Sequence, residues 1–343
     1  MRTTTKVLIS SSVTAVLIGT VLQKHYMTDV PFWCIPLTIL FCGYFPTYAD
    51  GSANSGARAG PHTAAFVSHP LWRFVWVRVL GMPLCETVWS ENHFEGKSRT
   101  AEEDDAQRFI FCSHPHGVSS AHHIGPMISP AVCEPGQAFC DIHPGASPVV
   151  RRDLSASVLF RIPFLRELML VAGCVDANRR VAERMLRAGH SLAILVGGEH
   201  EQLLAQKGQH TVLAMKRKGH VKLALRFGIP LVPCYCFGEV DTYTTSSFLL
   251  PLRLWLVKNL GVAIPIAVGR SWLLPFCPKP VKLVHCVGKP IDPYPKGQPK
   301  SLPDKPTPEA IDALHARYIE GLKEVFDTNK GANGYPNAVL KVV

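Results

Sequence analysis

Charge is scarce in this chain. Only 18% of its 343 residues are Asp, Glu, Lys or Arg, against roughly 25% in an ordinary soluble domain. What charge there is leans one way: 26 acids face 36 Lys and Arg, a formal net charge of +10. A basic excess favours anionic partners, meaning nucleic acid, a membrane surface or a phosphorylated substrate. Several motifs are missing altogether. There is no CxxC pair and no HExxH run, which excludes zinc ribbons, dithiol redox centres and zinc proteases. Neither GxxxxGK[ST] nor GxGxxG occurs, so the common nucleotide-binding loops are excluded too. Lys216-Arg217-Lys218 is a short cluster without interleaved aromatics, and nucleic acid is therefore not an expected partner. The 11 cysteines are odd in number and scattered, which rules out a small disulfide scaffold. With 47% hydrophobic residues, the chain can bury enough surface to offset ordering entropy, so global disorder is excluded as well.

Much of the apolar content sits at the start. VLISSSVTAVLIGTVLQ runs uncharged between Lys6 and Lys24, and a second uncharged run extends from Val30 to Ala49. At 1.5 Å per residue the first reaches about 25 Å, marginal against a hydrocarbon core of about 30 Å. The second is long enough, but Pro31, Pro36 and Pro46 would kink it, while Trp33, Tyr44 and Tyr48 suit a membrane interface. Residues 1–50 are read as a helical hairpin that enters a membrane and returns. A cleaved signal peptide competes with this reading, although no small-x-small site follows Leu22, and a buried hairpin in a soluble core is the other alternative. Residues 51–106 are read as a linker, DGSANSGARAGPHTAA, followed by a membrane-surface segment. In its stretch Leu71–Val88, Trp72, Phe74 and Trp76 alternate with Arg73 and Arg78. The acid cluster Glu102-Glu103-Asp104-Asp105 reads as a solvated loop. The cysteines lie singly in apolar surroundings, and no Asn-x-Ser/Thr acceptor occurs. Both features place the remaining domain, 107–343, on the cytosolic side of an internal membrane.

That domain alternates short apolar runs with helical periodicity. RFIFCS (108–113), SLAILV (191–196), IPLVPCYCFGE (229–239) and VKLVHCVG (281–288) read as strands. Asn178 is placed to cap the helix RRVAERMLRA, and KGHVKLALRFG is a second helix. Thr307 and Pro308 open a third, with Ile311, Leu314, Tyr318, Ile319, Leu322 and Phe326 on one stripe. Strand and helix in this rhythm predict an α/β fold, a mostly parallel sheet covered by helices.

The sharpest local feature is His114-Pro115-His116-Gly117, directly after the RFIFCS strand. Ligands gather beyond the carboxyl ends of the strands in such sheets. A neutral imidazole there is a general base for a hydroxyl, and Gly117 permits close approach of a substrate. The second feature is Gly197-Gly198-Glu199-His200-Glu201, again just after a strand. If the two strands are neighbours, Glu201 or Glu199 could orient His116. Rival chemistries are a metal site built from His114, His116, His122, His123 and His143, without supporting spacing, and a serine hydrolase at GVSSA (117–121), which lacks the last Gly of G-x-S-x-G.

On these residues the chain resembles the type 2 acyl-CoA:diacylglycerol acyltransferase family, which also contains monoacylglycerol and wax-alcohol acyltransferases. The family's His-Pro-His-Gly block stands at 114–117. Its Gly-Gly-x-x-Glu block matches Gly197, Gly198 and Glu201, which singles out Glu201 over Glu199. RKGHVKLALRFG from Arg217 matches a further block, with His220 where Phe is usual, and LVPCYCFGE ends at Glu239. Of the family's Pro-x-Ser/Asn-Arg only Asn178 and Arg179 carry over, and the aspartate of a His-x4-Asp pattern is absent, since Ser119 and Ala121 stand there. The resemblance implies a glycerolipid-acyltransferase-like fold and acyl transfer from acyl-CoA to the hydroxyl of diacylglycerol. A monoacylglycerol or long-chain alcohol is the alternative acceptor, and a lipid-binding or transfer protein the non-enzymatic alternative. It further implies His116, His114 and Glu201 as catalytic residues, with Gly117, Gly197 and Gly198 at the oxyanion turn. Asn178, Arg179, Lys216, Arg217 and Lys222 would meet the CoA phosphates. No metal or resident cofactor is expected; acyl-CoA is a co-substrate. Membrane lipids are expected partners, the endoplasmic reticulum membrane or the lipid droplet the expected address, and a homo-oligomer is left open.

Overall fold

The computed structural model describes residues 34–89, 107–260, 263–275, 277–294 and 305–343. Two compact units divide at Ser52. In the first, the second apolar run forms one helix, α1 (Cys34–Tyr48), with Pro46 in its last turn. Its 15 residues reach about 22 Å. Among the described residues no helix is long and apolar enough to cross a membrane. The first arm of the expected hairpin lies outside the described residues, as does the acid cluster at 102–105.

The second unit is built on a seven-stranded sheet. Its strands are β1 (Glu86–Val88), β2 (Ile110–His114), β3 (Arg151–Ser155), β4 (Cys174–Asp176), β5 (Ser191–Leu195), β7 (Leu231–Phe237) and β10 (Val284–Val287). They lie in the order β1-β10-β7-β2-β5-β3-β4. Strands β7, β2, β5, β3 and β4 run parallel, while β10 pairs antiparallel with β7 and carries β1 parallel at the edge. The mostly parallel α/β sheet expected from the alternation of elements is thus present. Two small pairs stand apart from it: β6 (Thr211–Val212) with β11 (Lys341–Val342), and β8 (Thr244–Thr245) with β9 (Ala267–Val268).

The stretch read as a linker contains two helices, α2 (Ser52–Ser55) and α3 (Pro61–Val67), and Val67 is fully buried against Ile128, Phe160 and Leu170. The segment read as one amphipathic piece, 71–88, divides. Helix α4 (Pro70–Arg73) continues as a wider π-wound segment to Val79, and Glu86–Val88 becomes the edge strand β1. Helix α5 (Leu165–Val171) precedes β4.

Period-two alternation decides what each face of β2 meets. Ile110 and Cys112 face a helical layer formed by α6 (Arg179–Arg187), α8 (Gly219–Phe227) and α10 (Pro308–Asn329), through Val181, Met185, Val221, Leu225, Leu314 and Tyr318. Phe109 and Phe111 face the opposite side, against Met127, Phe139 and Ile142. Helix α6 starts where Asn178 Oδ1 accepts the Arg180 N–H, and α10 where Thr307 Oγ1 accepts that of Ala310, so both expected caps form. Helix α8 ends at Gly228 with φ +63°, a left-handed stop. Ten described cysteines are free thiols.

Candidate active site

Strand β2 is central, with β5 and β7 parallel on either side. The carboxyl ends of three parallel strands therefore open at one edge, and each is followed at once by a chemically loaded segment: 114–117 after β2, 197–201 after β5 and 238–239 after β7. The sequence expectation that the His-Pro-His-Gly and Gly-Gly-x-x-Glu segments meet at a shared edge requires β2 and β5 to be neighbours, and they are, with Ser113 opposite Leu195.

The two histidines of the loop go to different places. His114 continues the Ile110–Cys112 face, is completely buried, and puts Nε2 2.8 Å from the Tyr318 hydroxyl of α10. Its Nδ1 lies 3.7 Å from Glu201 Oε2, an electrostatic contact too long for a hydrogen bond. His116 is only half-buried. Its Nδ1 is 3.0 Å from the Gly117 carbonyl oxygen and 3.1 Å from Ser120 Oγ. A carbonyl can only accept, so Nδ1 carries the proton and Nε2 keeps a basic lone pair. Burial lowers the His116 pKa from 6.5, because the charged imidazolium would lose its solvation. The ring is therefore neutral at pH 7.

Glu201 sits on α7 (Gly198–Leu204), which starts immediately after Gly197. It is 2% exposed. One oxygen accepts the His116 main-chain N–H at 2.5 Å, the other the Leu213 N–H at 2.7 Å. Burial pushes this carboxyl up, but the neighbouring His114 and the two N–H donors outweigh it and hold the pKa below the ordinary 4.5. The expected pairing thus takes another form: Glu201 grips the backbone of His116, not its imidazole. Space for the carboxylate depends on Gly197, since a Cβ there would fall 2.0 Å from Glu201 Oε2. Gly198, with φ +59°, opens the helix.

A second carboxylate holds the loop from the β7 side. Glu239, 1% exposed, accepts the N–H groups of Ala121 and His122 at 3.0 and 2.9 Å, and its Oε2 lies 3.1 Å from His122 Nδ1. Gly117 has φ +64°, and a Cβ there would lie 2.2 Å from Glu239 Oε1. That position therefore needs glycine both for its backbone angle and for its closeness to the acid. The amino-acid sequence alone assigns Glu239 no role, although it ends a matched block and follows a strand and a glycine, as the Gly-Gly-x-x-Glu segment does. Ser120 and Tyr318 escape it as well. Tyr318 reads as part of an apolar stripe, and only its hydroxyl contact reveals more.

The expected phosphate-binding residues divide. Arg179 and Lys222 line one cavity of about 320 Å³ together with Arg226 and His220. Asn178 is occupied as the α6 cap. Lys216 and Arg217 lie exposed in the turn before α8, where Arg217 Nη2 is 3.3 Å from His200 Nδ1. The remaining histidines of the rival metal reading disperse. His122 meets Glu239, His123 Nε2 lies 3.5 Å from Asp153 Oδ2, and His143 Nδ1 accepts the Gly145 N–H. Among the described residues no group of three or more His, Cys, Asp or Glu is arranged to hold a metal.

Comparison with known proteins adds the family. Diacylglycerol O-acyltransferase 1 of Eremothecium gossypii is 34% identical over 248 residues, 69% of this chain and 50% of that protein. Human 2-acylglycerol O-acyltransferase 3 is 31% identical over 256 residues, 69% of each. Among solved structures, the Thermotoga maritima 1-acyl-sn-glycerophosphate acyltransferase PlsC superposes with a TM-score of 0.38 at 14% identity, over 72% of this chain and 73% of that one. The chain thus spans half the length of its Eremothecium relative. The sequence profile of the family described as diacylglycerol acyltransferase matches residues 87–342, and the chain belongs to that family.

Proposed function

We propose that the protein is an acyl-CoA-dependent O-acyltransferase that moves a fatty acyl group onto the free hydroxyl of diacylglycerol, forming triacylglycerol. One observation carries the reading: a half-buried, neutral imidazole stands on a loop clamped from both sides by buried carboxylates at the carboxyl ends of three parallel strands. His116 Nε2 takes the hydroxyl proton as the acceptor oxygen attacks the thioester carbonyl. The tetrahedral intermediate collapses by breaking the C–S bond, and the imidazolium returns its proton to the departing CoA thiolate. Main-chain N–H groups of the Gly117 turn are the candidate oxyanion donors. His114, sealed from solvent, is a positioning residue through Tyr318 and Glu201. Arg179 and Lys222 are assigned to CoA phosphates; acyl-CoA and diacylglycerol are the substrates.

The two uncharged N-terminal runs, read as a hairpin, and the absence of Asn-x-Ser/Thr acceptors support attachment to the endoplasmic reticulum membrane with the site facing the cytosol, and access to lipid droplets. The human relative's name keeps a monoacylglycerol acceptor as the second reading. The test follows CoA thiol release and labelled product with full-length protein in vesicles, offered diacylglycerol, monoacylglycerol or a long-chain alcohol. Triacylglycerol as the main product, lost by at least about 100-fold in His116→Ala, is the expected result. Lipid exchange without thiol release would make the protein a lipid carrier instead.

A further inference from the structure

Between β7 and β10 the chain makes a long excursion that the sheet does not require. It contains β8, helix α9 (Leu250–Leu260) and β9, and α9 packs against α7. The outward surface of this excursion is strongly apolar. Phe248 is 66% exposed, Trp255 55%, Trp272 79% and Leu273 70%, with Leu252 and Leu274 beside them in sequence and also exposed. Monomeric soluble proteins scatter such residues singly. Here they crowd into fewer than thirty positions, and the buried side of α9 is taken by Arg253 and Val257. Arg253 spends its guanidinium on the Ser246 carbonyl, so one of the helix's two cations is turned inward, while Leu252, Trp255 and Leu260 are exposed beside the exposed Lys258.

The charge pattern identifies the occupant. From Thr242 to Ile291 there is no Asp or Glu against six Lys and Arg; Lys282 and Lys289 pair with Glu86 and Glu324 and Arg253 is buried, which leaves Lys258, Arg270 and Lys279. Lys258 and Arg270 are exposed in the same stretch as the tryptophans. Outward Trp and Leu flanked by cations, with every acid removed, complement an anionic lipid surface. Helix α9 has 11 residues, about 16 Å of length, roughly half a bilayer core. It is therefore too short to span, and a lipid contact would be interfacial. Through Arg270, which donates to the Leu80 carbonyl, this surface is tied to the end of the Phe74–Val79 segment, where Phe74 and Val79 are exposed as well.

We propose that residues 246–260 and 263–275 form a lipid-docking surface for an anionic leaflet that uses none of residues 1–52. The proposal does not depend on which acceptor the active site uses, nor on catalysis.

The test is emission quenching of the full-length protein by vesicles of phosphatidylcholine with brominated acyl chains, with and without phosphatidylserine. Trp255→Phe/Trp272→Phe keeps the apolar character and is expected to lose the quenched emission that Trp33, Trp72 and Trp76 do not supply. Trp272→Glu/Leu274→Glu, both at exposed positions, is expected to lower the quenching of Trp255 several-fold with an unchanged melting temperature. Lys258→Gln should weaken the preference for phosphatidylserine. Quenching that is unchanged in the double Phe variant overturns the proposal. So does a glutamate pair that leaves lipid quenching intact but dissociates an oligomer in vesicle-free solution, since the surface would then join copies of the chain.

Discussion

The carboxylate of Glu201 is bound to the main chain of His116, at 2.5 Å, and not to its imidazole. Its second oxygen holds Leu213 N, so one buried acid ties the His116 loop to the segment before α8. An amide in place of the acid keeps the shape but turns a donor toward one of these two N–H groups. A buried group left unsatisfied costs about 1–3 kcal/mol, and each 1.4 kcal/mol in a barrier is about tenfold in rate. Glu201→Gln is therefore expected to lower kcat by about 10- to 100-fold with little change in KM for acyl-CoA. Because Glu201 reaches the ring only through its charge, which raises the His116 pKa, the acidic limb of the pH profile should move slightly to lower pH. A limb displaced by a full pH unit would restore the direct carboxylate–imidazole pair.

With His116 as the proposed base, its pKa sets that limb. Burial lowers its pKa below 6.5, and the reacting form is neutral. Activity should accordingly be flat from neutral pH upward and fall only as pH drops through a value below 6.5. A pH series of kcat/KM under saturating membrane dispersion checks this. Activity that falls as pH rises through this range would mean that the imidazole is the acid and not the base.

Much of this site is legible in the amino-acid sequence itself. The strand before His114, the strand before Gly197 and the caps at Asn178 and Thr307 follow from local patterns, apolar runs stopped by glycine and polar residues at helix starts. What is not legible there depends on which strands are neighbours. Glu239 reaches the loop only because β7 lies beside β2, and no local pattern encodes the order β7-β2-β5. The separate fates of His114 and His116 are of the same kind. Alternation predicts that His114 shares the Cys112 face, but that Tyr318 waits there depends on the packing of α10. The edge strand β1 is hidden by its length, three residues, and by the aromatic segment before it.

Gly117 is where the two features of the loop collide. With φ +64° and a Cβ position 2.2 Å from Glu239 Oε1, alanine there must displace either the loop or the acid. Gly117→Ala is expected to reduce kcat by about 100-fold, equivalent to about 2.7 kcal/mol, while the protein stays folded by circular dichroism. Glu239→Gln leaves the space but weakens the grip on Ala121 and His122, so a smaller loss is expected. Wild-type turnover by Gly117→Ala would remove the loop geometry from the mechanism.

On β3, Arg151 donates to both oxygens of Asp153, at 2.6 and 3.0 Å, and the pair is buried. Burial alone would raise the Asp153 pKa, but Arg151 wins and takes it from 3.8 to about 2. A carboxyl depressed on folding contributes stability that is present above its unfolded value near 4 and lost as pH falls toward 2. The size is about 2 kcal/mol. Asp153→Asn should flatten the urea midpoint over this window. It should also destabilise the protein by about 3–5 kcal/mol at pH 7, because Arg151 would remain buried without its counterion. A variant as stable as the parent at neutral pH would contradict the ion pair.

His220 stands where the matched block usually carries phenylalanine. It is buried, its ring 4.6 Å from that of Tyr318, and its Nε2 has no hydrogen-bond partner. Burial, followed by the neighbouring His114 and His315, lowers its pKa from 6.5 to about 3. A histidine with a depressed pKa binds its proton more readily in the unfolded chain, so the stability it lends is complete above about 6.5 and is lost as pH falls toward 3. Phenylalanine fits an aromatic wall and neither titrates nor leaves a polar atom unsatisfied, a relief of about 1–3 kcal/mol. His220→Phe is therefore expected to raise the melting temperature at pH 8 and to raise it further at pH 5, where the parent chain is weakened by proton uptake on unfolding. Equal shifts at both pH values would show that the ring titrates alike in folded and unfolded chains, against the burial that defines its position.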